Sequence, residues 1–364
     1  MATVGDPGTD APPPPPAPAP LRPQRRRNFS LWAYWQLRLA ETAPPEACPI
    51  EDLAGHFEGY RAGVRARLAE LLGEWPQPVP LDIEVLEDDD AGPYRRCRIV
   101  FDTEATMSVP AYLLIPHDRV EPGPAVLAIH GHGAGKSMVC GLDRGRDDLR
   151  DEIAGYHGDY AHQLACRGYV VLAPDLRGFG ERTDWNPPDR YQCDWNLVSA
   201  TIAGANPLTQ NLWDLRCSLD VLAQHPLVDP QRIGAAGLSY GGTGTLFLAA
   251  IDERVKAAVV SGYFASWAAA HRVPWNMCGS QILPGLLGSL EHVDLGALVA
   301  PRALFIETGT EDDIFPVEAA RAAVATLEHV YDRYGVRDRL VHEVNEGGHQ
   351  WYGRQAYPFL EREL

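Results

Sequence analysis

The sequence predicts an α/β fold: an eight-stranded, mostly parallel sheet flanked by helices, with an N-terminal helical extension and two insertions that can act as lids. Three observations predict it. Short apolar, β-rich runs recur at 97–101, 110–115, 125–130, 169–174, 232–238, 255–260, 303–307 and 340–344. From the third run onward helical patterns separate them, such as 317–334 closed by Gly335, and that alternation implies parallel strands covered on both faces. The composition, 45% hydrophobic and 22% charged over 364 residues, suits a packed soluble domain. It excludes collagen-like, wholly disordered and disulfide-scaffold chains. No run of about 18 uncharged apolar residues is present, so a transmembrane helix is not expected.

Along the chain, residues 1–28 read as a disordered tail. Positions 11–21 are nearly all Pro and Ala, which favours polyproline II and cannot build a core. Arg26-Arg27-Asn28-Phe29 resembles a twin-arginine export signal, but Arg38 and Glu41 soon interrupt the apolar stretch and no A-x-A-like site follows. A cytoplasmic location is therefore expected, with export as the alternative. Seven scattered cysteines without a CxxC pair point the same way, to reduced thiols. Residues 29–80 form the helical extension. Within it Leu53, Phe57, Tyr60, Val64, Leu68, Leu71 and Leu72 recur at helical spacing and Gly73 stands at the C-cap position. The extension is expected to cap the site or to build a homodimer. Residues 81–364 form the main domain. Its first two strands are close together and should pair antiparallel. Residues 183–206 and 264–295 fit no element of the basic plan and are the lid candidates.

The chemistry begins at Gly237-Leu238-Ser239-Tyr240-Gly241, which follows an apolar run and precedes an alanine-rich helical stretch. This is G-x-S-x-G in its strand–turn–helix context. Ser239 must stand on a sharp turn, which brings neighbouring backbones together and admits only glycine at 237 and 241. His130-Gly131-His132-Gly133-Ala134-Gly135-Lys136 follows the third run. A loop of small residues there can turn N–H groups toward an oxyanion, so His132 and Gly133 are the expected donors beside the N–H of Tyr240. A metal pair at His130 and His132 lacks a carboxylate or a third histidine at convincing ligand spacing. The loop is also one residue short of a phosphate-binding G-x-x-x-x-G-K-[ST].

Downstream, Asp312 lies in the loop after the seventh run and His349 after the eighth. The spacing to Pro316 favours Asp312 as the acid, with Asp313 as the alternative. The order Ser239, Asp312, His349 is that of the α/β-hydrolase fold. In acyl transfer His349 takes the proton of Ser239, and Asp312 orients and stabilises the imidazole. This chemistry requires no metal or organic cofactor. The net charge of −17, from 32 basic and 49 acidic residues, offers no basic footprint for nucleic acid or an anionic membrane. The expected partner is a small ester.

Beyond the elbow, HGHGAGK at 130–136, PDLRGFGER at 174–182, DPQRIGAAGLSYGG at 229–242, ETGTEDDIFPVEAAR at 307–321 and EGGHQWYG at 346–353 resemble the dienelactone-hydrolase-like and acetyl-xylan-esterase-like α/β hydrolases. The likeness covers roughly 80–364. It implies an α/β-hydrolase fold, the triad Ser239, Asp312 and His349, and cleavage of carboxylic esters. The dienelactone hydrolases proper use a cysteine nucleophile where this chain has Ser239, which favours ordinary ester cleavage. His130, Trp351, Trp185 and Trp275 are the candidate substrate-binding residues. The competing readings are a C–C hydrolase, thioesterase, acyltransferase or peptidase on the same triad, or a binding protein that kept the fold.

Overall fold

The computed structural model describes residues 28–44, 48–49, 53–184, 191–271 and 276–364. The chain divides into two units, 1–43 and 44–364. In the first, helix α1 (Leu31–Glu41) starts at Ser30, whose hydroxyl accepts the N–H of Ala33 at 3.1 Å. The rest of the proline-rich tail, 1–27, lies outside the described residues.

The second unit is built on a sheet of nine strands: β1 (Glu84–Asp90), β2 (Tyr94–Glu104), β3 (Met107–Pro116), β4 (Gly123–Ile129), β5 (Val170–Pro174), β6 (Val228–Leu238), β7 (Val255–Ser261), β8 (Ala303–Gly309) and β9 (Leu340–Asn345). Their order is β1-β2-β3-β5-β4-β6-β7-β8-β9. β1, β2, β3 and β5 pair antiparallel, and all pairings from β5 through β4 to β9 are parallel. The eight expected strands are β2 to β9. The ninth, β1, is an acidic edge strand exposed along its whole length, so it carries no apolar alternation from which to recognise it.

The helices after α1 are α2 (Leu53–Leu72), α3 (Lys136–Val139), α4 (Asp147–Tyr156), α5 (Tyr160–Ala165), α6 (Tyr191–Ile202), α7 (Pro207–Gln224), α8 (Tyr240–Ile251), α9 (Trp267–Ala270), α10 (His292–Val299), α11 (Val317–Arg333) and α12 (Ala356–Glu363). They cover both faces, and the two-residue period of the strands feeds two cores. Ala125, Leu127 and Ile129 of β4 and Leu304 and Ile306 of β8 face one core; Val126, Ala128, Ala303 and Phe305 face the other.

Helix α2 belongs to this unit. Its Phe57, Tyr60, Val64, Leu68 and Leu72 are buried in the first core. The Tyr60 hydroxyl donates to Asp294 of α10, and Arg61 donates to the Ala300 carbonyl at 2.8 Å and the Tyr334 hydroxyl at 2.6 Å. Helix α2 is thus a flank of the sheet domain.

Candidate active site

All the chemistry-bearing loops leave the carboxyl ends of parallel strands, where open α/β sheets place their ligands. β6 ends at Leu238, α8 begins at Tyr240, and Ser239 alone makes the turn with φ 61° and ψ −118°. A serine in that region costs about 1–3 kcal/mol of backbone strain. The surroundings hold it there: Ser239 N–H donates to the Ser261 carbonyl of β7 at 2.9 Å, and the Ser239 carbonyl accepts Thr243 N–H at 3.0 Å. The flanking glycines are required by contact. A Cβ at Gly241 would lie 2.0 Å from the Ile129 carbonyl oxygen, and one at Gly237 would lie 2.4 Å from the Gly241 backbone.

Asp312 and His349 meet across the loops after β8 and β9. His349 Nδ1 is 2.8 Å from Asp312 Oδ2, and Asp312 Oδ1 accepts the N–H groups of Ile314 and Phe315 at 2.9 Å each. The Asp312 carboxylate is 1% exposed. Asp313 is exposed at the pocket rim, so Asp312 is the carboxylate that orients the imidazole. The ring stacks on Phe315 at 5.9 Å and lies over Gly262, where a Cβ would approach it to 3.1 Å.

Ser239 and His349 share a cavity of about 410 Å³, the size of small-molecule pockets. Met138, Val139, Tyr156, Tyr160, Leu238 and Ile314 supply an apolar wall; Gly131, His132 and Asn276 add polar atoms. Asn276 Nδ2 is shielded from solvent and has no hydrogen-bond partner among the described residues. Tyr240 is buried beneath the elbow with its hydroxyl accepting from Asn211 at 2.9 Å. Only its backbone, the first residue of α8, is placed to serve an anion, because a helix N-terminus leaves N–H groups free. Gly131 and His132 reach the cavity wall, and Gly133 stands behind it, facing Glu152 and Met138.

A family model described as Abhydrolase family matches residues 27–343. The chain belongs to the Abhydrolase family. Over 282 residues it is 28% identical to "Putative hydrolase YtaP" of Bacillus subtilis (strain 168), covering 76% of this chain and 90% of that protein. A solved structure titled a "putative acetyl xylan esterase" from Bacteroides fragilis NCTC 9343 superposes with a TM-score of 0.74 at 19% identity, covering 89% of this chain and 84% of the other. A glucuronoyl esterase from Solibacter usitatus follows with a TM-score of 0.63 at 14% identity, over 88% and 98% of the two chains. At these identities the two structures establish a shared α/β-hydrolase fold.

Two of the four expected substrate-binding residues of this Abhydrolase-family chain are corrected by their burial. His130 is fully buried: its Nε2 accepts Leu176 N–H at 2.9 Å and its Nδ1 lies 2.7 Å from the Gly131 carbonyl. Both ring nitrogens are occupied in tying β4 to the loop after β5, and burial pulls the imidazole below its ordinary range. Trp351 is 2% exposed and stacked on Tyr160 at 4.5 Å, with its Nε1 donating to the Tyr357 hydroxyl. It supports a pocket residue from behind. Trp185 and Trp275 lie outside the described residues. Lys136, at the end of the glycine loop, is also buried; its amine sits 2.5 Å from both Asp175 and Glu181. That ion pair fastens the loop to the one after β5.

Glu307 was invisible as a site residue, since a glutamate at the end of a strand carries no motif. It is fully buried under the site. Its Oε2 accepts the Ser261 hydroxyl at 2.6 Å and Tyr352 N–H at 3.0 Å, and Oε1 accepts Gly353 N–H at 2.7 Å. It thereby joins the residue that holds Ser239 N–H to the loop that carries His349. Burial pushes its carboxyl up to about 7. A carboxyl raised on folding binds its proton in the native state where the unfolded chain has lost it. Stability therefore falls as pH rises from the ordinary value of 4.5 toward about 7, by an amount on the order of 3 kcal/mol. Urea midpoints from pH 5 to 8 should show that decline in the wild type, and Glu307→Gln should flatten it. An identical pH slope in both proteins would remove Glu307 as its source.

Proposed function

We propose that this chain is a serine carboxylesterase that cleaves a small, uncharged ester through an acyl-enzyme on Ser239. The observation that carries the reading is the Asp312–His349 pair at 2.8 Å, opening on the same cavity as a serine held at positive φ. With Nδ1–H donated to Asp312, the free Nε2 of His349 is the base that takes the proton of Ser239. The Oγ attacks the carbonyl, and the developing oxyanion is received by the backbone N–H of Tyr240 and that of the His132 loop. His349 then protonates the departing alcohol, and water repeats the sequence to release the acid.

The apolar wall of Met138, Val139 and Ile314 suits a short acyl chain, and the unpartnered Asn276 amide suits a hydroxyl or carbonyl oxygen of the alcohol part. The solved structures with this fold that are titled acetyl xylan and glucuronoyl esterases support a carbohydrate ester as the substrate class. A panel of acetyl, propionyl and butyryl esters of p-nitrophenol and of methyl glycosides, run beside matched thioesters, amides and β-diketones, tests this. Turnover concentrated on the oxygen esters is expected. Turnover confined to thioesters, amides or diketones would overturn the ester reading while leaving the triad standing.

A further inference from the structure

Apart from the triad, the two insertions and the loop after β4 bring three metal-ligating side chains to one point. The ligand atoms of His132, Cys193 and Cys278 all lie within 4.8 Å of one another. They come from three distant stretches of chain. His132 follows β4, Cys193 sits in the first turn of α6 within the first insertion, and Cys278 lies in the second insertion after β7. Both cysteines are buried, at 1% and 2% exposure, and both are free thiols. His132 Nε2 stands 3.9 Å from Cys193 Sγ.

The surroundings form a built site. Cys278 N–H donates to Gln281 Oε1 at 3.2 Å, and the Gln281 amide donates to Thr243 Oγ1 of α8 at 3.0 Å, so the thiol-bearing loop is fastened to the helix behind the elbow. Gly279 N–H donates to Asp194 at 2.7 Å, which closes the seam between the two insertions. The His132 ring packs against both Tyr240, at 5.0 Å, and Phe179, at 5.5 Å, with its Nε2 toward Cys193. Ser280 is fully buried beside Cys193, and its hydroxyl makes no hydrogen bond of sound geometry among the described residues.

Two thiols and an imidazole nitrogen are a soft donor set, the kind that selects zinc or copper(I) over magnesium or calcium. Tetrahedral zinc with bonds of about 2.3 Å to sulfur and about 2.0–2.1 Å to nitrogen separates its ligand atoms by roughly 3.4–3.8 Å. The observed 3.9 Å between His132 and Cys193 needs only a small contraction. A Cys193–Cys278 disulfide would use the same sulfurs, but it would leave the convergence of His132 on them without a purpose.

We propose that His132 Nε2, Cys193 Sγ and Cys278 Sγ form a binding site for a thiophilic divalent cation, with zinc as the reference ion, that clasps both insertions to the loop beside Ser239. Binding exchanges two S–H protons for two sulfur–metal bonds and leaves the oxidation state of sulfur unchanged. The site stands independently of the ester reading, and its readout is occupancy.

The test uses the full-length, tag-free protein, reduced, stripped with chelator and titrated with cobalt(II). One equivalent should produce a thiolate-to-cobalt charge-transfer band with the visible bands of tetrahedral cobalt, and zinc should bleach both. Cys193→Ser and Cys278→Ser should each lose the charge-transfer intensity while keeping the wild-type circular dichroism. If either variant fails to fold, zinc protection of two wild-type thiols from alkylation, mapped to Cys193 and Cys278 by peptide mass, replaces it. Absence of the band in the reduced wild type, or its persistence in both folded variants, would overturn the proposal. So would a Cys193–Cys278 disulfide whose reduction restores no cobalt binding.

Discussion

Ser239→Ala should lower kcat on the best ester of the panel by roughly ten-thousand- to a million-fold, the range found when the nucleophile of a triad is removed. The change deletes one oxygen and nothing that holds the fold. Ser239 contributes its N–H to the Ser261 carbonyl and its carbonyl to Thr243, and alanine keeps both. Its Cβ meets the same backbone strain at φ 61° that serine already bears. The unfolding midpoint should therefore stay within about 0.5 kcal/mol of wild type. What activity remains comes from the N–H groups facing the oxyanion and from substrate binding. His349→Ala should cost about as much, and the double variant little more, because the two groups act as one unit. Measured kcat within ten-fold of wild type for Ser239→Ala would remove the elbow from the mechanism.

Asp312→Asn should lower kcat by about ten-thousand-fold, and Asp313→Asn by no more than a few-fold. The difference follows from the hydrogen-bond roles. Asp312 Oδ1 accepts from two N–H donors, Ile314 and Phe315, so an asparagine must turn its carbonyl oxygen toward them. Its NH₂ then faces His349 Nδ1 and forces that nitrogen to accept. The proton moves to Nε2, and the base toward Ser239 is lost. Asp313 is exposed and makes no such contact. Steady-state kcat on one ester, with circular dichroism as the fold control, decides the matter. A larger loss in Asp313→Asn than in Asp312→Asn would transfer the acid role to Asp313.

These effects rest on features that differ in how far local sequence reveals them. The elbow is legible because its constraint is local: a strand, a turn too sharp for side chains and a helix lie within a few consecutive residues, and the glycines record it. The strands β4 to β8 are legible because parallel strands buried on both faces carry unbroken apolar runs, such as 125–129 in β4 and 303–306 in β8. β1 is not, since an exposed acidic edge satisfies its backbone without any apolar pattern. The role of His130 is not legible either. A histidine that accepts from a backbone N–H 46 residues away reads the same as one facing a substrate. Trp351 is ambiguous for the same reason, because stacking on Tyr160 and facing a sugar make the same demand on residue type.

The sequence by itself determined the alternation of β2 to β9 with helices, the sharp turn at Ser239 and the chain order of Ser239, Asp312 and His349, because hydrophobic period and turn sterics act between near neighbours. Only the tertiary structure set Asp312 and not Asp313 against His349, made α2 a flank of the sheet domain, set Glu307 beneath the site and drew His132, Cys193 and Cys278 together. Each of those outcomes depends on which distant segments pack side by side, and burial and hydrogen-bond partners are fixed by that packing.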